Sequence, residues 1–185
     1  MKLEKENIWN VPNVLTMIRM ALIPVYWIIF QQGHLYAALI VFLVASLTDL
    51  LDGYIARKYH LITNFGKLMD PLADKLMVVS VMLSLALKKI VPWLPLMILF
   101  AKELLMILGG ILMLDKGVVV YSKHIGKIAQ TLVVSSLILC FFHDYFLSIN
   151  FPLHLILIWC GVALTLCAFV FYTHNALKLY KNAQK

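Results

Sequence analysis

The chain has 185 residues, 63% of them hydrophobic, and a mean hydropathy of +0.91. Soluble domains are about 45–50% apolar, so lipid is the expected solvent, and at about 20 residues per span the chain is limited to six or seven crossings in one membrane-embedded domain, 1–185. The net charge of +7 rests on only 14% charged residues without a basic tract interleaved with aromatics; this argues against nucleic acid and for a cytoplasmic face held against anionic lipid.

The first residues, Met1 to Glu6, are charged and lack the apolar core of a cleavable leader. Residues 3–12, with Leu3, Ile8, Trp9 and Val11 among charges, predict a short interfacial helix ended by Pro12. Six apolar segments follow, at 14–31, 35–56, 69–87, 92–114, 126–147 and 153–176. Lipid cannot satisfy an open backbone, so each is expected to be helical. The predicted class is all-α, a six-transmembrane-helix bundle. The connections carry Gly, Pro or charge, at Gln31 to His34, Arg57 to Lys67, Lys88-Lys89, Asp115 to Gly117 and Asp144 to Pro152. If both termini are cytoplasmic, that side collects nearly all the basic residues and the other keeps only Lys88 and Lys89. The expected orientation is therefore N-in and C-in, in what reads as a bacterial plasma membrane. Cys140, Cys160 and Cys167 lie inside apolar runs and read as packing residues. His34, His143, His154 and His174 fall at span ends and read as interfacial.

Four acids stand where a membrane segment least favours them: Asp49 and Asp52 near the end of the second segment, Asp70 and Asp74 at the start of the third. Ionisable groups within spans are costly and normally face a cavity or a partner. Spacings of three and four put each pair along one helix face. Two helices joined by a short loop would then bring all four carboxylates to one place. Such a cluster cannot stay ionised without positive compensation. Arg57, Lys67 and Lys75 are near in sequence, but hard oxygen donors suit Mg²⁺, Mn²⁺ or Ca²⁺, and two ions sharing carboxylates is the recurring arrangement for phosphoryl chemistry. The competing reading, a salt-bridged network tying two helices together, accounts for one pair more easily than for two. Gly53 and Ala56 follow Asp49 on its face, and Gly66 precedes Asp70 by four; all three leave room for a bulky ligand or for close helix packing. Pro71 marks a first-turn position or a kink.

Asp49-Leu50-Leu51-Asp52-Gly53-Tyr54-Ile55-Ala56-Arg57, eight residues, then Gly66-Lys67-Leu68-Met69-Asp70-Pro71-Leu72-Ala73-Asp74 resembles the complete signature of the CDP-alcohol phosphatidyltransferases. The upstream stretch Val11 to Arg19 is similar to the opening of the family's phosphatidylglycerophosphate synthase and cardiolipin synthase branch. The resemblance implies displacement of CMP from CDP-diacylglycerol by an alcohol, with two divalent ions, Mg²⁺ or Mn²⁺, and a homodimer. It implies Asp49, Asp52, Asp70 and Asp74 as metal ligands, with Asp74 also the general base. It implies that Gly53, Ala56, Arg57 and Gly66 admit the nucleotide and its diphosphate. Asn13 and Thr16 are nucleotide candidates whose competing role is helix capping after Pro12.

The acceptor is less plainly marked. Phosphatidylglycerophosphate synthases typically carry Ala-Arg-Glu on the fourth helix with a further Arg downstream; here Ala101-Lys102-Glu103 and Gly109-Gly110 stand instead. The fifth helix typically opens Gly-Lys-x-Lys-Thr, against Gly126-Lys127-Ile128-Ala129-Gln130-Thr131 here. Lys102 and Lys127, with Lys123, remain to meet an acceptor phosphate, unless they only snorkel to headgroups. Glycerol 3-phosphate is the expected acceptor, and phosphatidylglycerol, as in a cardiolipin synthase, is the alternative. A membrane prenyltransferase lacks the Asp-Gly-x-x-Ala-Arg continuation, and a metal transporter would place its acids nearer mid-bilayer.

Overall fold

A computed structural model describes residues 10–59, 61, 63–114 and 124–183. All regular structure in them is helical: α1 Val11–Gln31, α2 Leu35–Lys58, α3 Asn64–Leu87, α4 Trp93–Leu114, α5 His124–Cys140, α6 His143–Ser148 and α7 Leu153–Ala183. The all-α expectation holds. Among the described residues α1, α2 and the Leu153–Ala176 part of α7 are long and apolar enough to cross a membrane, and Ile125–Cys140 is a shorter apolar helix.

Several boundaries differ from the sequence reading for local reasons. Pro12 opens α1 instead of closing an earlier helix. It sits in the first turn, where its missing N–H costs nothing, and the Asn10 side chain caps that turn by accepting from the Asn13 N–H at 2.9 Å. The interfacial helix expected over 3–12 otherwise lies outside the described residues. α1 and α2 are joined by a tight turn in which Gly33 adopts φ 86°, a conformation that side chains disfavour. α3 begins at Asn64, before the apolar run, because the Thr63 hydroxyl accepts from the Gly66 N–H at 3.0 Å and caps the helix. Pro71 consequently lies about two turns inside α3, not in its first turn, and removes one helical hydrogen bond. The segment predicted at 126–147 breaks at Phe141 and Phe142 into α5 and the short α6, so Asp144 to Ser148 are helix, not connection. α7 runs on past residue 176. The expected connection at Asp115 to Gly117, and Lys123, lie outside the described residues.

The chain falls into two compact units, Met1–Ser84 and Leu85–Lys185. In the first, α1 packs along α2, with Tyr26, Phe30, Ala38, Leu39, Phe42 and Ala45 buried. In the second, α5 and α4 each pack on α7, and α6 touches its start. His154, expected at an interface, is instead fully buried, its Nε2 2.9 Å from Nδ1 of His143. That bond satisfies Nε2, whereas Nδ1 of His154 is buried with no hydrogen-bond partner among the described residues.

Candidate active site

One face of α1 organises the aspartates. Asn13, Thr16 and Arg19 recur every three residues, and all three are buried although polar or charged. Arg19 is the extreme case, 1% exposed. One terminal nitrogen of its guanidinium lies 2.9 Å from Oδ1 of Asp49, and the other bonds Oδ2 of Asp52. Asp49 and Asp52 sit one turn apart on α2, so the planar fork bridges both. One α1 turn earlier, the Thr16 hydroxyl lies 2.5 Å from Oδ1 of Asp70 on α3, and 3.1 Å from the Pro12 carbonyl. Asn13 accepts through Oδ1 from the Thr63 hydroxyl at 3.1 Å. The Asn10 amide nitrogen donates to the Leu61 carbonyl at 3.1 Å, tying the α2–α3 connection to the start of α1. Two turns beyond Arg19, the buried Tyr26 hydroxyl meets the Ser84 hydroxyl at 2.6 Å.

The carboxylates therefore meet through a third element. The sequence suggests two adjacent helices converging at a loop; the structure gathers Asp49, Asp52 and Asp70 around α1. The three are close enough that their charges act on one another. Asp52 is almost wholly buried, whereas the Asp49 side chain is about one third exposed. Asp74 is half-buried, one α3 turn beyond Asp70. Arg19 is the site residue that sequence reasoning missed. A lone Arg in an apolar run reads as an orientation marker, and the signal that would have found it is its three-residue register with Asn13 and Thr16.

The small residues are now specified. A Cβ on Gly66 would lie 2.8 Å from Oδ1 of Asn13 and 3.2 Å from the Thr63 hydroxyl, so Gly66 lets α1 and α3 approach. Asn13 and Thr16 do not cap α1, since Asn10 does. Gly53 lies beneath the Arg57 guanidinium, whose nearest nitrogen would be 3.5 Å from an added Cβ. That is ordinary contact, and Arg57 itself is exposed. Ala56 is half-buried. In the second unit Lys102 is ion-paired to its neighbour Glu103, Lys127 is exposed, and Ala129 is buried.

No three His, Cys, Asp or Glu side chains among the described residues are drawn in as tightly as a metal centre would hold them. The chemistry of the donors nonetheless fits a hard divalent cation. All are carboxylate oxygens, and the described contacts of α1 fall on one oxygen each of Asp49, Asp52 and Asp70. If ionised, these three set against one guanidinium leave an excess of two negative charges.

A family model described as CDP-alcohol phosphatidyltransferase matches residues 9–167, which include α1 and the whole aspartate cluster. A Bacillus subtilis (strain 168) protein named CDP-diacylglycerol--glycerol-3-phosphate 3-phosphatidyltransferase is 36% identical over 176 residues, 85% of this chain and 90% of its own length. A Rickettsia bellii protein of the same name is 46% identical over 99 residues, 52% of this chain and 55% of its own. A Streptomyces coelicolor protein named cardiolipin synthase (CMP-forming) is 33% identical over 119 residues, 60% of this chain and 55% of its own. These last two matches span only about half the length of the relatives concerned. Signature, buried site and family match coincide on the same residues, and the chain belongs to the CDP-alcohol phosphatidyltransferase family.

Proposed function

We propose that the chain transfers the phosphatidyl group of CDP-diacylglycerol to glycerol 3-phosphate, forming phosphatidylglycerophosphate and releasing CMP. The observation that carries this reading is the gathering of Asp49, Asp52 and Asp70 on the polar face of α1. The acceptor rests on the names of the Bacillus and Rickettsia relatives.

In this reading Asp49, Asp52, Asp70 and Asp74 would hold Mg²⁺ or Mn²⁺, which when bound neutralises diphosphate charge and polarises its oxygens. The protein side is mostly positioning, as phosphoryl transfer generally requires. Arg57, exposed and fork-shaped, binds diphosphate oxygens by leaving its resting place over Gly53. Gly53, Ala56 and Gly66 shape the nucleotide entrance, with Asn13 and Thr16 beside it. Asp74 accepts the proton of the acceptor hydroxyl as that oxygen bonds to the phosphorus bearing diacylglycerol. The bond from this phosphorus to the bridging oxygen breaks, and CMP leaves with the electron pair. Lys127 and Lys102 attract the acceptor phosphate. The enzyme works as a six-span homodimer with both termini and the active site cytoplasmic.

A second reading, phosphatidylglycerol as acceptor, is favoured by two observations. Ala129 is buried where synthases of glycerol 3-phosphate specificity typically place a lysine, and Lys102 is already neutralised by Glu103. Purified protein supplied with CDP-diacylglycerol, Mg²⁺ or Mn²⁺ and each acceptor separates the two. CMP release with glycerol 3-phosphate supports the first. Release with phosphatidylglycerol alone replaces it with the second, and release with neither overturns both.

A further inference from the structure

Arg19 takes no part in the transfer as described, yet among the described residues it is the most buried charge of the first unit. An isolated guanidinium there would be very costly, and its position is justified only by its partners. Those partners are two carboxylates on successive turns of α2, each touched at one oxygen: Oδ1 of Asp49 and Oδ2 of Asp52. Thr16 does the same to Asp70, at Oδ1. The described α1 contacts thus fall on one oxygen of each carboxylate, and Asp52 also accepts from the backbone N–H of Gly53. The pattern crosses three helices and includes both a charged and a neutral donor, so charge neutralisation alone does not explain it.

We propose that Arg19 is a positioning residue for the divalent metal, fixing the side chains of Asp49 and Asp52 so that their remaining oxygens face one cation, with Thr16 doing the same for Asp70. This rests on the aspartates being the metal ligands. Groups that orient a ligating carboxylate typically contribute 10- to 100-fold to metal affinity when removed. A stand-in cation competing with the metal would act in the opposite sense: deleting its charge would tighten metal binding.

Direct Mn²⁺ titration of the purified full chain in detergent, without substrates, distinguishes these by the EPR signal of free Mn²⁺. Arg19→Met is expected to weaken Mn²⁺ binding by about 10- to 100-fold. Arg19→Lys keeps the charge, but a single ammonium lacks the fork, so it should recover only part of the affinity. Thr16→Val, which leaves the Arg19 pair intact should Arg19→Met not fold, is expected at the low end of that range, about tenfold. Unchanged affinity in the folded variants would make Arg19 and Thr16 merely structural, and tighter binding in Arg19→Met would make Arg19 a competitor. Either result overturns the inference and leaves the metal reading standing. Failure of the unsubstituted protein to bind Mn²⁺ would overturn both.

Discussion

Where α1 meets α2 and the α3 region, a set of mostly buried polar contacts crosses between elements beside the apolar core: Arg19 to two aspartates, Thr16 to Asp70, Asn13 to Thr63, Tyr26 to Ser84. Where α5 meets α7, buried polar side chains mostly turn back on their own helices. Ser136 bonds the Val133 carbonyl and Thr165 the Gly161 carbonyl, both at 2.7 Å. The helices there approach through small residues, with Gly161 against Val133 and Gly126 close enough for its N–H to donate to the Tyr172 hydroxyl at 3.1 Å. Close approach of small surfaces is the ordinary way to pack helices in lipid, where apolar burial offers little drive. A seam of cross-helix charge is an expensive alternative, and it coincides with the family's signature. The two seams should therefore fail differently when altered.

The largest difference is expected in turnover. Asp74→Asn removes the proposed base and one metal ligand while keeping the side chain's shape. General bases contribute about 10²- to 10⁴-fold, so CMP release should fall by at least that range with the helical circular dichroism unchanged. Retention of more than a tenth of the activity would remove Asp74 from the role of base.

Arg19→Met should be the most destabilising single change in the polar seam. Two carboxylates would lose their common partner, one of them almost wholly buried. Breaking a buried pair in this way costs about 3–5 kcal/mol, read as a lower Tm in detergent without added metal. A loss under about 1 kcal/mol would place the pair in the category of exposed salt bridges.

Much of this was legible in the sequence, for identifiable reasons. The aspartate pairs announce themselves because ionisable residues in apolar segments are rare and because spacings of three and four are helical. Helix ends marked by Gly33 or by the Lys88-Lys89 pair fall close to where they were expected. Pro12 was misread as a stop, although Asn two residues ahead of Pro is also a start signal. The break at Phe141 and Phe142 has no Gly, Pro or charge to betray it. Arg19 was hidden for a different reason. Its meaning depends on burial and on partners 30 and 33 residues away, and no local pattern reports a cross-helix contact.

Glycines in the two seams give a smaller, matched test. A methyl on Gly66 would press on the Asn13 amide at 2.8 Å, and one on Gly161 would press on a Val133 methyl at 2.9 Å and its backbone nitrogen at 3.4 Å. Overpacking of this kind costs about 1–3 kcal/mol, so both alanine variants should lose similar stability. Only Gly66→Ala disturbs groups beside Asp70, whose Oδ2 would lie 3.6 Å from the new carbon. It alone should also lose activity per folded molecule; equal specific activity in the two variants would erase the functional distinction between the seams.

The smallest effect on stability isolates what Gly53 is for. The nearest described atoms to a Cβ there belong to the Arg57 guanidinium, at 3.5 Å or more, so Gly53→Ala introduces no clash. An alanine in a helix is favoured over glycine by about 0.5–1 kcal/mol, and Tm should hold or rise slightly. If the space over Gly53 is reserved for the nucleotide once Arg57 moves, KM for CDP-diacylglycerol should rise while the fold is unharmed. A variant that is more stable and binds its donor normally would show that Gly53 serves only as a resting place for Arg57. The contrast with Gly66 would then be between clearance that joins two helices and clearance that shelters one side chain.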